Sequence, residues 1–389
     1  LGKDRTLLEY SVYQDSLYIF VMNSNKNELV STYKPEIFDQ WVDQFKTSIR
    51  NQDYETYKRV SYQLYTILIR PVESFLIEER ELVIVPDGNL WHINFELLLK
   101  EKESSFVFAE LPYLINSYAI SYSNSASLTL HKNTNGKFSK TECIAFSYSG
   151  PNSGKFPNNT DQTTLRNVKL DLPGTREEIK SIASLVAGDY YYGNEANERF
   201  FKEYSRNYSL LHLAVHGDIV DEDPMLSKLY FSSLGRDSIE DGLLHVYEIY
   251  DMELNADMAV LSACNTGAGV LRKGEGIMSL GRAFQYAGVK SVVLSNWAVP
   301  DETAPVIMKY FYTNLKDGQS KSQALRNAKL SYLNDSELYA SSPFFWGNFM
   351  IVGDASAIDW KESFQYTKLI LLITGVVFVA FLFMIEQKR

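Results

Sequence analysis

The chain has 389 residues, 45% hydrophobic and 22% charged, which is typical of a folded protein with room for two compact domains. A formal net charge of -10 without a Lys/Arg cluster argues against a nucleic-acid-binding surface, because phosphate recognition needs clustered cations. Its two cysteines, Cys143 and Cys264, allow no disulfide framework and no CxxC zinc site, which favours a reducing, cytosolic setting.

The first half predicts a sheet edge followed by helix and a buried strand. Residues 7–13 and 16–21 alternate apolar and polar side chains, as a strand pair with a short turn does. Residues 35–79 have helical apolar spacing, and residues 81–85 form a short apolar strand that ends at a Pro-Asp-Gly turn. Residues 131–164 are rich in Ser, Asn, Thr, Lys and Gly around a short strand at 143–146, which predicts a loop and a domain junction.

A β/α alternation follows this junction. Thr175 and Glu178 have the spacing of a capping box, ahead of a helix whose buried stripe is Ile179, Ile182, Ala183 and Val186. Apolar strands are predicted at residues 210–216, 259–264 and 291–295, with helical patterns at Ile277, Leu280, Phe284 and Ala287 and at Ile307, Phe311 and Leu315. Such strands with helices between them indicate an α/β fold whose parallel sheet is covered on both faces.

Two of these strands end in residues that carry chemistry. His216 is followed by Gly217, and Cys264 is followed by the turn-forming run 265–269. Since ligands bind beyond the carboxyl ends of parallel strands, neighbouring strands would bring both side chains to one crevice. The imidazole would activate the thiol and protonate a leaving amine, and the backbone N–H groups of Gly217 and Cys264 would hold an oxyanion.

Simpler roles compete with this interpretation. A lone cysteine that closes an apolar strand is usually a small buried hydrophobe, but the Gly-rich sequel and the matching His-Gly favour a nucleophile. His212, four residues before His216 on the same predicted strand face, is expected to be a core or supporting histidine. Cys143 is expected in the core, and the remaining histidines in structural or solvated positions: His92, His131 and His245.

Other site motifs are incomplete, so no cofactor or metal is expected. The GxG at residues 267–269 has Arg272 where a dinucleotide-binding loop needs Gly, and there is no GxxxxGK[ST] or GxSxG. His212 and His216 lack the Glu of HExxH, and the caspase run QAC[RQG]G is also absent.

The chain resembles the CHAT domain, a caspase-related and separase-like peptidase family often found after tetratricopeptide repeats. The resemblance covers roughly residues 5–353 and is densest at the His-Gly and Ser-Ala-Cys elements, residues 212–217 and 260–267. Further matches are Val85-Pro86-Asp87-Gly88, Asn94-Phe95-Glu96, Leu172-Pro173-Gly174-Thr175 with Glu178, Gly274-Glu275-Gly276, Ala283-Phe284 with Ala287-Gly288, Ser295-Asn296-Trp297 with Asp301, and Pro343 with Trp346.

The resemblance implies that His216 and Cys264 form a peptidase dyad in a caspase-like sandwich. Residues 1–135 would be a catalytically silent, pseudo-caspase-like support domain and residues 136–360 the catalytic domain. Asn296 departs from the family, which often has Leu before Trp297, and this leaves specificity open. A protein substrate and an upstream tetratricopeptide or sensor partner are the implied partners.

The specificity pocket has two open interpretations. Glu275 and Asp301 follow the cysteine loop and the 291–295 strand, where acidic walls would favour Lys or Arg before the scissile bond. Alternatively, Glu275 caps a helix starting near Gly276 and Asp301 caps the next one. The function is likewise open between a cysteine endopeptidase and a non-catalytic signalling scaffold of the same fold.

The C-terminal residues predict a membrane anchor at 367–386. Residues 369–385 carry no charge, and 17 residues of helix at 1.5 Å each reach about 26 Å, close to the roughly 30 Å of a bilayer core. Tyr366, Lys368 and Lys388 flank this run and suit the interfaces. The expected localisation is a single-pass, tail-anchored membrane protein with a cytoplasmic catalytic domain.

Overall fold

The structure is a computed structural model, and the residues that it describes are 4–77, 80–103, 105, 107–130, 142–148, 172–220, 222–232, 240–262, 270–272, 276–278, 280–298, 300–337 and 339–360. At residues 130, 270–272 and 276–278 the description covers the backbone only.

The first half begins with strands and continues with two long helices. In chain order its elements are β1 (Arg5–Tyr13), β2 (Ser16–Met22), β3 (Asn27–Tyr33), α1 (Phe38–Arg50), α2 (Tyr54–Leu68), β4 (Glu81–Val85), β5 (Ala119–Tyr122) and α3 (Ala126–Leu130).

The second half alternates strands and helices. In chain order its elements are β6 (Cys143–Ser147), α4 (Pro173–Ala183), β7 (Gly188–Tyr192), α5 (Glu198–Tyr204), β8 (Leu210–Ala214), β9 (His216–Asp218), β10 (Lys228–Tyr230), β11 (Leu243–His245), α6 (Val246–Tyr250), β12 (Met258–Leu261), β13 (Val270–Arg272), β14 (Gly276–Met278), α7 (Leu280–Tyr286), β15 (Ser291–Ser295), α8 (Thr303–Lys316), α9 (Lys321–Asp335), α10 (Pro343–Trp346) and β16 (Phe349–Gly353).

One eleven-stranded sheet runs through the molecule in the order β3-β2-β1-β4-β5-β16-β15-β12-β8-β6-β7. The neighbours β6, β8, β12 and β15 are parallel, whereas β16 is antiparallel to β15, and β1 to β3 form an antiparallel edge. The predicted α/β class, the strand pair at the sheet edge and the parallel arrangement of the three apolar strands are therefore confirmed. The sheet crosses from residues 1–135 into residues 136–360 through the β5–β16 contact, and the division into two domains stays a prediction.

Helices cover both faces of the second half. His212 on β8 points to Glu178 of α4 and Tyr312 of α8. Leu294 on β15 is opposite Leu261 on β12, and Leu261 is opposite Leu213 on β8, so these three side chains point to the same face of the sheet. Leu213 directly follows His212, and successive side chains of a strand point to opposite faces, so Leu294 points away from the face of His212. There it meets α7, close enough that a Cβ at Gly281 would lie 2.8 Å from its side chain.

In the first half, α1 and α2 form where the sequence has helical apolar spacing, and a short turn separates them. Gln52 adopts a positive φ of 56°, and Asp53 then caps α2 by accepting from the backbone N–H of Thr56 at 3.2 Å. Tyr10 of β1 donates its hydroxyl to the carbonyl of Leu68 at 2.9 Å, which ties the end of α2 to the sheet.

Several local predictions are wrong. Helix α4 starts at Pro173 without a side-chain cap, and Glu178 binds His212 instead of completing a capping box. Ala183, predicted in the buried stripe of this helix, is exposed at its last position. Gly276 starts strand β14 rather than a helix, and α7 begins at Leu280.

The membrane anchor predicted at 367–386 and most of the junction at 131–164 lie outside the described residues. Within the part of the chain that is described, every helix is too short or too polar to cross a bilayer.

Candidate functional site

The site is built where two neighbouring strands end. Strands β8 and β12 are parallel, with Leu213 opposite Leu261, as the hypothesis of one crevice requires. His216 lies three residues beyond Leu213, and Cys264 follows Leu261 by the same number. Cys264 and Glu275 themselves lie outside the described residues.

His216 stands outside the main sheet. Strand β8 ends at Ala214, and His216 opens β9, which pairs with β10 in a separate three-stranded sheet with β11. The predicted strand at 210–216 is therefore two strands, and His216 does not share a strand face with His212. Its half-buried ring contacts the ring of Tyr148 at 4.8 Å in an edge-on arrangement.

Tyr230 on β10 and Asp218 on β9 form a polar pair next to His216. Tyr230 lies across from His216 in the β9–β10 register and donates its hydroxyl to the Asp218 carboxylate. Burial, together with this carboxylate, raises the pKa of Tyr230. Tyr148 and Tyr230 thus frame the histidine, and the sequence motifs alone did not identify either residue.

His212 is a core residue, as predicted. Its side chain is fully buried, with Nε2 2.8 Å from Glu178 Oε1 and Nδ1 3.0 Å from the hydroxyl oxygen of Tyr312. When Nε2–H donates to the carboxylate, Nδ1 is left to accept from the tyrosine. This network fixes β8, and hence the approach to His216, against α4 and α8.

The Leu172–Thr175 motif holds the start of α4 against the site strands. Asp301 accepts from the backbone N–H of Gly174 at 2.5 Å, and a Cβ at Gly174 would lie 2.0 Å from the Asp301 carbonyl oxygen. Thr175 and Ser147 hydroxyls are 2.9 Å apart, which anchors the helix to the end of β6. Asp301 thus satisfies a donor in the first turn of α4 instead of capping α8, the helix that follows it, and its role in substrate binding stays a prediction.

The Asn94-Phe95-Glu96 motif joins the two halves. Glu96 forms a buried ion pair with Lys329 of α9, which also donates to the carbonyl of Phe349 at 2.5 Å. Asn94 donates to the carbonyl of Gly347 at 2.5 Å. A buried charge is tolerated only with such partners, so these residues fix the position of β16.

A pocket opens between α1, the 3-10 turn at Gly88–His92 and the end of β15, at the junction of the two halves. The hairpin of β13 and β14, which follows Cys264 along the chain, contacts the same 3-10 turn. Sequence reasoning missed this pocket because its walls are far apart along the chain: Lys46, Arg50, Trp91, His92, Asn296 and Trp297.

An acidic cluster elsewhere has the spacing of a metal site but already surrounds a cationic side chain. The carboxylates of Glu198, Glu240 and Glu248 lie 2.6–2.7 Å from Lys202 Nζ. Within the described ranges this is the cluster with metal-like spacing, and the ammonium group lies at its centre.

The second cysteine offers a contrast to Cys264. Cys143 lies in β6, is fully buried, and burial raises the pKa of its thiol to about 12. A thiol in such surroundings is a poor nucleophile. The prediction that Cys143 is a core residue is confirmed.

A family model of the CHAT domain matches residues 58–354. The chain is similar to tetratricopeptide repeat protein 28 of Homo sapiens, with 24% identity, and of Mus musculus, with 23% identity, in both cases over 77% of this chain and 13% of the relative. The chain thus spans only about an eighth of the length of these curated relatives.

Two solved structures also resemble the chain, each with 11% identity. The Arg-specific cysteine proteinase gingipain R has a TM-score of 0.43, with 83% of this chain and 75% of that chain covered. The separase–securin complex of Saccharomyces cerevisiae has a TM-score of 0.45, with 85% of this chain and 21% of that chain covered.

Proposed function

Because the chain belongs to the CHAT domain family, we propose that it is a cysteine endopeptidase whose catalytic pair is His216 and Cys264. The observation that carries this proposal is the register of β8 and β12. It sets Leu213 opposite Leu261, and the chain continues from each to one member of the pair. The substrate is a protein or peptide.

The chemistry follows from the two residue types. His216 removes the proton from the Cys264 thiol, and the thiolate attacks the scissile carbonyl carbon to form a tetrahedral oxyanion. The backbone N–H groups of Gly217 and Cys264 stabilise this oxyanion. The imidazolium then gives its proton to the leaving amine as the C–N bond breaks. Water, deprotonated by the same imidazole, hydrolyses the resulting thioester and frees the thiol.

Covalent labelling tests the proposal directly. We expect a peptide carrying an acyloxymethyl ketone to form one stoichiometric adduct with the wild-type chain, detected by intact mass. Cys264→Ala should form none. Cys143→Ala is the matched control and should label as the wild type does, because the Cys143 thiol is buried with a raised pKa.

The same experiment distinguishes the endopeptidase from a non-catalytic scaffold. A non-catalytic scaffold forms no adduct with any electrophilic peptide. Labelling that survives in Cys264→Ala and disappears in Cys143→Ala would identify Cys143 as the nucleophile. Either result contradicts the endopeptidase proposal.

We also propose that residues 367–386 form a helix that anchors the peptidase to a membrane with its catalytic domain on the cytoplasmic side. We further propose that a tetratricopeptide or sensor partner acts upstream of it. The support is the uncharged run itself and the name of the curated relatives. A chain truncated after Trp360 should move from the membrane to the soluble fraction. Equal partitioning of the truncated and full chains would contradict the anchor.

A further inference from the structure

Strand β3 is one edge of the central sheet, and among the described residues no strand lies on its outer side. It pairs with β2 over consecutive positions, from Asn27 opposite Met22 to Tyr33 opposite Ser16, without a bulge. Natural edge strands are usually protected by proline, by bulges or by several charges. Residues 27–33 contain no proline and a single charged residue, Glu28, so this edge is open to pairing.

The contacts with β2 fix which backbone groups of β3 point outward. The N–H of Lys34 donates to the carbonyl of Asp15 at 2.7 Å, and the carbonyl of Lys26 accepts from the N–H of Asn23 at 3.0 Å. Since the backbone groups of successive strand residues point to alternate sides, the even-numbered residues of β3 bond to β2. The outer edge is therefore formed by the N–H and C=O groups of residues 27, 29, 31 and 33.

The solvent face of the first three strands is apolar. Four of the 13 exposed large hydrophobic side chains in the described ranges lie there, with exposed fractions of 39–64%: Tyr13, Phe20, Leu29 and Tyr33. Phe20 lies opposite Leu29, and Tyr13 and Tyr33 lie on either side of Ser16 in another cross-strand row. Exposed apolar side chains that cluster next to an open sheet edge indicate an interaction surface.

This edge is complementary to itself. Antiparallel pairing of two copies about Ser31 places Leu29 opposite Tyr33 of the second copy, so the apolar rows of the two copies join. The same register places Glu28 opposite Lys34 of the second copy, and opposite charges at directly paired positions stabilise a sheet.

The charges favour this register over its neighbour. Glu28 is exposed and forms no ion pair in the described part of the chain. Lys34 donates to Asp39 at 2.8 Å, which uses one of the three N–H groups of its ammonium. Pairing about Val30 would instead set Lys26 opposite Lys34 of the second copy, and like charges at paired positions are destabilising.

We propose that β3 is a dimerisation edge, at which two copies of this chain pair antiparallel about Ser31 and their central sheets become continuous. Residues 29, 31 and 33 exchange backbone hydrogen bonds with the second copy, and Leu29 packs against its Tyr33. Six strands separate β3 from β12, so the inference is independent of the proposed peptidase function.

Thiol crosslinking tests the pairing and its register. In a Cys264→Ala chain the remaining thiol, that of Cys143, is buried. Ser31→Cys in that chain should form an interchain disulfide under mild oxidation, because directly opposite residues of a hydrogen-bonded pair have Cα atoms about 5.5 Å apart, within the span of a disulfide. Leu29→Cys should form none, since the two substituted positions lie about 14 Å apart along the strands. A mixture of Leu29→Cys and Tyr33→Cys chains should crosslink.

Two results of this experiment contradict the proposal. A Ser31→Cys chain that stays monomeric under oxidation shows that the two edges do not meet. Equal crosslinking of Leu29→Cys and Ser31→Cys shows random collision of exposed thiols rather than pairing about Ser31.

Sedimentation velocity of the full chain in detergent measures the dimer without a crosslink. Ser31→Lys should raise its dissociation constant by about tenfold or more, because two like charges then face each other across the two-fold axis. Ser24→Lys, also an exposed change but in the turn between β2 and β3, is the matched control and should dimerise as the wild type does.

Both lysine variants keep residues 369–385, so association through that run would be equal in the two. Their urea denaturation midpoints should match that of the wild type, because both side chains are exposed. A monomeric wild type, or a dimer whose dissociation constant Ser31→Lys leaves unchanged, overturns the proposal.

Discussion

Ionisable side chains are placed differently at the carboxyl and amino ends of the parallel strands, here called the carboxyl edge and the amino edge of the sheet. At the carboxyl ends of β8 and β12, His216 is half exposed, outside the main sheet, with an aromatic ring against it. At the amino end of β12, Lys321 is buried and donates to the carbonyls of Asp257 and Asp354, at 3.0 and 2.9 Å. The first arrangement leaves a polar side chain partly exposed, whereas the second buries a charged side chain among backbone carbonyls.

His212 lies within β8, between these two edges, and shows that a buried histidine can lie close to a partly exposed one in the chain. It is four residues before His216, but both of its ring nitrogens have buried partners. A histidine in the strand therefore supports the fold, whereas the histidine after the strand end is the one that we propose for catalysis. Mutations that separate activity from stability can test this distinction.

The largest expected effect is on catalysis at the carboxyl edge. His216→Ala should reduce kcat/KM by about 10³-fold or more, because nucleophile and proton-transfer group act as a unit. The free energy of unfolding should change by less than about 1 kcal/mol, since this ring is half exposed. Peptide cleavage and urea denaturation measure the two quantities. Lys290→Ala, which removes the partly buried ion pair with Asp257 near the amino end of β12, should retain wild-type cleavage. Activity of His216→Ala within tenfold of the wild type would contradict the proposed proton-transfer role of His216.

The second effect is on stability under the site. His212→Ala removes the hydrogen bonds to Glu178 and Tyr312 and leaves the Glu178 carboxyl buried without its imidazole, which should cost about 3 kcal/mol of unfolding free energy. His212→Gln should recover part of this loss, because its amide can donate to Glu178. We expect the remaining folded fraction to cleave at a rate close to that of the wild type, measured by active-site titration. A loss of turnover without any loss of stability would place His212 in the catalytic machinery instead.

The smallest effect is a pH dependence at the amino edge. Burial lowers the pKa of Lys321 to about 8, whereas an unfolded lysine titrates near 10.4. Between these values the unfolded state keeps a proton that the folded state has released, so the free energy of unfolding rises with pH. From pH 8 to 9.5 the contribution is about 1.5 kcal/mol, because the folded-state lysine is only half deprotonated at pH 8.

Two matched variants isolate this contribution. Lys321→Met should lose the rise, whereas Lys309→Met, exposed on helix α8, should keep it in urea denaturation series. An identical pH dependence in the wild type and Lys321→Met would show that Lys321 does not titrate in this range.

The sequence predicts strands better than it predicts the contacts of polar residues. Strands β4 and β15 have the predicted bounds because short apolar runs between turn residues have few alternatives. Glu178 was misassigned because its spacing from Thr175 fits a local cap, and only the fold brings His212 within reach. No local sequence pattern predicts the pocket between α1 and the end of β15, since Lys46, Trp91 and Asn296 meet only when distant segments pack together.

The position of β16 has a consequence for the order of assembly on the ribosome. This strand lies between β5 and β15, so each half of the sheet has an unpaired edge until residues 349–353 have left the exit tunnel. Unpaired edges readily join strands of other chains. Nascent chains that end before Phe349 should therefore depend more on chaperones than chains that extend past Gly353, because only the longer chains can complete the sheet.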